Sequence, residues 1–310
     1  VSLEPARDPT YHAGERYVQD RAGQAAAATA AIGAIHASIP PPAAVFLAER
    51  EMLVVAASDD DGRIWATHLT GAPGFIHVVS EREIHVAAQT HAHDPLANAL
   101  ARRAIVGTIA IDFATRRRMR LNGTSTADAG GLTIVSDQVY ANCPKFIAAR
   151  SVESIADTTS QQLFEGDRLD DAARSLVSNA ETLFIGTAHA DRGADASHRG
   201  GAAGFVAVID DRTLRFPDYR GNAMYMTLGN IVASPRTGLL FVDWESGDVL
   251  QLTGTAAIDW DPDLAARFPG AQRMVSFTID RAVRRTNASP LRWSRAIPSR
   301  VNPPIVTPNS

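Results

Sequence analysis

The chain contains the same pattern twice. Residues 52–86, "MLVVAASDDDGRIWATHLTGAPGFIHVVSEREIHV", lie without a gap over residues 182–216, "TLFIGTAHADRGADASHRGGAAGFVAVIDDRTLRF", at an offset of 130. Leu53 meets Leu183, Asp61 meets Asp191, His68 meets His198, and Gly74-Phe75 meets Gly204-Phe205. A second block, 107–124, lies over 238–255 at an offset of 131, where Gly107, Asp112, Leu121, Gly123 and Thr124 recur as Gly238, Asp243, Leu252, Gly254 and Thr255. A fixed period of this length is the signature of repeated structural units. A duplicated domain is therefore expected.

Each copy reads as β-rich. "LVVAAS", "GFIHVV", "EIHVAA", "GTIAIDF" and "RMRLNGT" are short runs bounded by Gly, Asp and Ser, the pattern of strands. "DWESGDVL" reads as a hairpin turned at Ser-Gly. One short helix is expected between the fourth and fifth strands of each copy, over "DPLANALARR" and "NAMYMTLGNIVA". Short antiparallel strands with one inserted helix suggest a small closed or split barrel, which leaves few free sheet edges. The expected organisation is an N-terminal helical segment over 1–44, a first barrel over 45–141, a helical connector over 142–180, a second barrel over 181–285, and an extended Pro-rich tail over 286–310. A net charge of −4 argues against a nucleic-acid face. No apolar run is long enough to cross a bilayer, and the first residues lack the apolar core of a secretory signal. One cysteine excludes an internal disulfide framework. A cytoplasmic protein is expected.

Matching positions keep a fold, so polar departures between copies are candidates for function. Apolar residues mostly exchange for apolar ones: Val54 for Phe184, Ile109 for Leu240, Phe113 for Trp244. "THLTG" becomes "SHRGG", which places Arg199 where Leu69 stood, and "AAQTHAHDPLANA" gives way to "PDYRGNAMYMTLGN", which adds Arg220 and Asn222. A strand-to-helix junction with Arg, Gly and Asn side by side has two readings. One is a turn, because Gly and Asn tolerate left-handed backbone angles. The other is a phosphate site built from guanidinium forks, the Ser197 hydroxyl, backbone amides near Gly200 and Gly221, and a helix start.

The run 195–256, with "SHRGG", "FPDYRGN", "LGN", "SPRTGLLF" and "GDVLQLTG", resembles the pyridoxamine 5′-phosphate oxidase-like family of FMN-binding split barrels. Ser234 departs from that pattern, in which an asparagine precedes the Pro-Arg pair; "YHAGERYVQDRAG" and "VYANCPKFI" resemble the same subgroup. The resemblance implies a mainly β fold with peripheral helices (α+β): two tandem FMN-binding split β-barrels in an intrachain pseudo-dimer, with one flavin in the groove between them. It implies that Ser197, His198, Arg199 and Gly200 run along the isoalloxazine and ribityl. Asp218, Tyr219, Arg220, Gly221 and Asn222 would hold the phosphate end, with Leu228, Gly229 and Asn230 close by. Gln251 would lie near the ring, and Asn142, Cys143 and Lys145 would close the site. The first copy lacks both arginines, so its equivalent site is expected to be degenerate.

Other candidates have plainer readings. Cys143 has no His or acid beside it in sequence and reads as a packed or cofactor-adjacent thiol. His198 aligns with His68, so a role shared by both barrels competes with ligand contact. His91 and His93 read as surface residues without a metal cluster, and Asp112 and Asp243 as turn residues. Trp244 reads as core, and "RRRMR" (116–120) as a solvated hairpin. No G-x-G-x-x-G fingerprint is found, so NAD(P)H as electron donor would bind transiently over a flavin. The expected function is an FMN-dependent oxidoreductase acting on a small molecule, as a monomer with an internal pseudo-dimer or as a homodimer. A flavin-binding or electron-transfer protein without turnover, or a haem- or deazaflavin-binding relative, is the alternative.

Overall fold

A computed structural model describes residues 10–158 and 161–304. Three helices lead the chain: α1 (Ala13–Arg21), α2 (Ala25–Ala31) and α3 (Pro41–Ala48). The first sheet follows from β1 (Met52–Ser58), β2 (Ile64–Thr70), β3 (Ile76–Ser80), β4 (Glu83–Val86), β5 (Ala104–Asp112), β6 (Arg117–Asp128) and β7 (Gly131–Asn142), with α4 (Ala97–Leu100) between β4 and β5. The connector holds β8 (Val152–Ile155), β9 (Gln161–Gly166) and α5 (Asp171–Asn179). The second sheet comprises β10 (Thr182–His189), β11 (Gly193–Gly200), β12 (Ala207–Val208), β13 (Thr213–Tyr219), β14 (Arg236–Val242), β15 (Val249–Asp259) and β16 (Ala271–Thr286). Helix α6 (Met226–Ala233) precedes β14, α7 (Pro262–Ala266) precedes β16, and β17 (Leu291–Trp293) ends the described elements.

Both sheets have one strand order. The first runs β2-β1-β5-β6-β7-β4-β3 and the second β11-β10-β14-β15-β16-β13-β12, with β9 added beside β16. Register repeats as well: Val54 opposes His68 and Ile109, as Phe184 opposes His198 and Leu240. The pairing shifts at Asn122/Gly123 in one sheet and at Thr253/Gly254 in the other. The two glycines are required there, because a Cβ on either would lie 1.9 Å from the carbonyl oxygen of Val135 or Thr278. Repeated sequence thus becomes repeated hydrogen bonding, down to the irregularity.

The halves pack face to face, and strand alternation shows how. Side chains on a strand point alternately to opposite faces. In β1, Leu53, Val55 and Ala57 enter the core of the first half, while Met52, Val54 and Ala56 enter a core shared with Phe184, Leu240 and Val242 of the second. In β14, Leu239 and Phe241 face the second half's own core, and Leu240 and Val242 face the shared one. Strands buried on both faces read as continuous apolar runs. The contacts are reciprocal. A Cβ on Gly107 would strike the backbone at Asp195, and one on Gly238 would strike the backbone at Trp65. Each half thus lays the strand equivalent to its partner's against it, so a groove on one side of the shared core has a counterpart on the other.

Two expectations change. The connector contains strands as well as a helix: β9 extends the second sheet and β8 pairs with β17. The Pro-rich tail is anchored through that pairing and through the Ala149–Ile297 bridge, with Leu291 buried in the shared core. Its last residues, 305–310, lie outside the described residues. Asp112 and Asp243 do serve turns, accepting from the amides of Thr115 and of Glu245 and Ser246. Trp244 packs edge-on to Phe113 and Trp293 against the shared core.

Candidate functional site

One cavity gathers most of the chemistry. Its walls come from β6 (Arg118, Arg120), the segment after β7 (Cys143, Lys145, Phe146), β11 (His198, Arg199, Gly200), the end of β13 (Asp218, Tyr219), and the approach to α6 with its first turn (Gly221, Asn222, Tyr225, Met226, Thr227, Leu228). Arg118, Arg120, Lys145 and Arg199 face one carboxylate among the lining residues, Asp218. Gly200 is needed because a Cβ there would lie 2.0 Å from the Phe146 carbonyl oxygen. The cavity measures about 80 Å³, against the roughly 150 Å³ that encloses a benzene ring. It admits an anion of phosphate size. A ring system would also require movement of the lining, in which the rings of Phe146 and Tyr219 stack with centroids 4.7 Å apart.

The helix start is open to this space. Ala223 and Tyr225 have φ of 64° and 56°, left-handed angles uncommon for residues with a Cβ. The expectation assigned such freedom to Gly221 and Asn222, neither of which uses it. Asn222 accepts the Met224 amide at 3.1 Å, and Tyr225, at the N-cap, makes no side-chain cap. Helix N-termini carry unpaired amides and the positive end of the peptide dipoles. The first turn of α6 therefore presents donors where the basic side chains converge.

Burial sets the protonation of these groups. His198 is held well below the usual imidazole range by burial and by Arg118 and Arg199, so it is neutral. Arg118 Nη1 lies 3.0 Å from His198 Nδ1. An arginine can only donate, so Nδ1 accepts and the proton sits on Nε2, which has no partner among the described residues. Burial, with Arg120 and Arg199 nearby, lowers Arg118 to about 9, and burial lowers Arg199 as well. Arg120 differs, because Asp195 and Tyr140 outweigh its burial and hold it charged. Asp218 is raised by burial, which its two arginine neighbours only partly offset: Arg199 at 3.8 Å and Arg273 at 3.7 Å are beyond hydrogen-bond length. The cavity thus contains cationic donors whose charge is incompletely balanced, together with N–H groups on Arg118, Arg199 and His198 that find no partner among the described residues.

Ten of the sixteen residues expected at the site line this cavity: Cys143, Lys145, His198, Arg199, Gly200, Asp218, Tyr219, Gly221, Asn222 and Leu228. Ser197 lies just behind, its hydroxyl accepting from Arg120 and Arg199. Arg220 is exposed and outside the lining, so one of the two diagnostic arginines does not join. Asn142 ends β7 beside Arg118 without reaching the cavity. Gly229 and Asn230 face away, toward α1: a Cβ on Gly229 would lie 2.3 Å from Glu15 Cγ, and Asn230 joins His12 to Thr187 through hydrogen bonds of 3.0 Å each.

Residues 169–299 match the family model of pyridoxamine 5′-phosphate oxidase. The match covers the second sheet and the segments that flank it. No curated protein matches the chain. Solved structures similar to parts of it include a putative pyridoxamine 5′-phosphate oxidase from Lactobacillus delbrueckii, with 21% identity, coverage of 39% of this chain and 98% of that one, and a TM-score of 0.32. An FMN-binding protein from Syntrophomonas wolfei gives 14% identity, 36% and 82% coverage, and a TM-score of 0.29. A FAD-binding protein from Mesorhizobium loti gives 12%, 41% and 98%, and 0.29.

The segment that matches this model does not include β6, yet β6 supplies two of the four basic side chains in the cavity. The run "RRRMR" is not a solvated hairpin throughout: Arg120 is 6% exposed and Arg118 part-buried. Arg118, Arg120 and Asn122 alternate with buried Met119 and Leu121, a period-2 pattern that a charge-run reading obscures. Gln251, equivalent in the repeat to Arg120, lies in the counterpart groove. There its amide donates to the Ala66 carbonyl at 3.0 Å, and its oxygen accepts from Arg285 at 2.9 Å. Arg285 also pairs with Asp94 at 2.7 Å, with both side chains 2% exposed. This internal ion pair stands where the other groove is open.

Proposed function

We propose that the chain is an FMN-dependent oxidoreductase whose single flavin lies between two barrels derived by duplication. The observation that carries this reading is the convergence of Arg118, Lys145, Arg199 and an uncapped helix start on one cavity of phosphate size. Charge-assisted hydrogen bonds from such donors are the strong kind, and a neutral ligand would leave them unbalanced. The family match over 169–299 supports a flavin as the ligand. Lys145, Arg199 and the first turn of α6 would hold the phosphate, while the Nε2–H of His198 offers a fixed donor to the rest. A bound flavin would supply hydride and electron transfer; the protein binds, orients and shields it. The counterpart groove, closed by Arg285 and Asp94, is read as the degenerate site, so one flavin per chain follows.

A second reading, a flavin binder without turnover, is favoured by one feature. His198 is held neutral and the Tyr219 hydroxyl is pushed up to about 12, so neither is poised as an acid–base group near neutral pH. The absorbance of the purified protein should show an oxidised flavin; a Soret band or a deazaflavin spectrum would contradict the assignment. Anaerobic NADH or NADPH should then bleach it. Bound flavin that neither donor reduces would favour the binder.

A further inference from the structure

Asp195 does not line the cavity, yet it binds more groups around it than any residue named above. Its carboxylate, 3% exposed, accepts from Arg120 Nη1 at 3.0 and 3.1 Å and from the Tyr140 hydroxyl at 2.9 Å. It also accepts from Asn122 Nδ2 at 3.4 Å and from the Thr227 hydroxyl at 3.3 Å. The first three donors belong to β6 and β7 of the first half, and the fourth sits in the first turn of α6. Arg120 continues the chain of contacts to Ser197, whose hydroxyl holds Arg199 at 2.9 Å. The counterpart groove uses a different buried carboxylate, Asp94, which accepts from Arg285, Gln251 and the Thr67 hydroxyl, while the repeat places Trp65 where Asp195 stands.

We propose that Asp195 is the positioning residue of the anion cavity, tying the first half of the chain to the helix start and to Arg199, so that these donors converge only when the halves are docked. This inference rests on the reading of the cavity as a phosphate site. A buried carboxylate bound by one guanidinium and three neutral donors is close to saturated, since its two oxygens offer about four acceptor sites. A rotation of α6 would break the Thr227 bond and leave Asp195 Oδ2 with Arg120 Nη1 alone, an unfavourable outcome for a buried carboxylate. The helix is therefore held in register from the far side of the interface. Because the same carboxylate joins both halves, phosphate binding and docking of the halves are linked.

The test compares FMN with riboflavin, which lacks the phosphate. Thr227→Val removes the link to α6 while leaving the Arg120–Asp195–Tyr140 bonds in place. It should weaken FMN binding by about three- to ten-fold and riboflavin binding by clearly less. Thr227→Ser should restore wild-type FMN affinity. Asp195→Asn should weaken FMN further and speed hydrogen exchange at the amides of 226–229 without ligand; should it fail to fold, Tyr140→Phe, which removes one donor outside the cavity, takes its place with the same expected direction. In the double variant, Thr227→Val should cost little beyond Asp195→Asn, because both act through one contact. Equal loss from Thr227→Val in both backgrounds would mean a direct ligand contact and would overturn the inference, as would unchanged FMN affinity. If the wild-type chain bound neither FMN nor inorganic phosphate, the phosphate reading would fall and this inference with it. Wild-type FMN binding with indifferent variants would remove this inference alone.

Discussion

Arg118→Met should make the ligand-free protein more stable and the flavin complex weaker. Arg118 has no carboxylate within salt-bridge reach among the described residues, and burial beside Arg120 and Arg199 lowers it from the ordinary guanidinium range to about 9. Both values lie above neutrality, so its charge is present in folded and unfolded chains at pH 7. The penalty is complete there and is relieved only as pH rises past 9. Taken in full, the shift amounts to about 5 kcal/mol. Partial exposure and solvent screening reduce that to about 2 kcal/mol. The lost hydrogen bond to His198 takes back about 1 kcal/mol. The net is a gain near 1 kcal/mol, or about 1–3 °C in Tm for a chain of this size. In the complex the sign reverses. Loss of one charge-assisted bond costs about 1.5–3 kcal/mol, a roughly 10- to 150-fold weaker Kd. Thermal melting without ligand and quenching of FMN fluorescence read the two effects separately. A lower Tm with unchanged FMN affinity would refute the reasoning, since Arg118 would then be structural.

Two further outcomes follow from α1. Glu15 is 3% exposed and raised by burial to about 8, while burial lowers His12 to about 4. For Glu15 the folded chain holds its proton longer than the unfolded one, so stability falls as pH rises from about 4.5 to 8; His12 gives the opposite slope between about 4 and 6.5. From pH 6.5 to 8 Glu15 acts without that offset, so the chain should lose up to about 2 kcal/mol, and denaturation midpoints of Glu15→Gln should lack that loss. Identical pH slopes for variant and wild type would reject it. Gly229→Ala places a Cβ 2.3 to 2.6 Å from Glu15 Cγ, Cα and N. Overpacking of about 1–3 kcal/mol should exceed the gain in helix propensity, lowering Tm and weakening FMN together; an unchanged Tm would show that α1 yields.

The repeat made the architecture legible, because equal spacing of apolar residues and glycines produces equal registers and equal bulges. It also marked Arg199, Asp218 and the start of α6, which lie close along the chain and end on one cavity. It could not say which groove each strand enters. Strand β6 of one half lies near β11 of the other, and β15 near β2, so Gln251 faces Ala66 while Arg120 faces Asp195. That exchange follows from how the halves dock, which no local pattern encodes. Arg220 illustrates the converse, since a residue beside Tyr219 and Gly221 still points to solvent when the backbone turns there.

The central claim is that one cavity between the halves holds the phosphate of one flavin. Diffraction from crystals grown with FMN tests it most directly. The account predicts one FMN per chain, its phosphate among Lys145, Arg199 and the amides of 226–228, with the groove at Arg285 and Asp94 unfilled. Flavin at that second groove, or ordered crystals with FMN absent from the first, would contradict it.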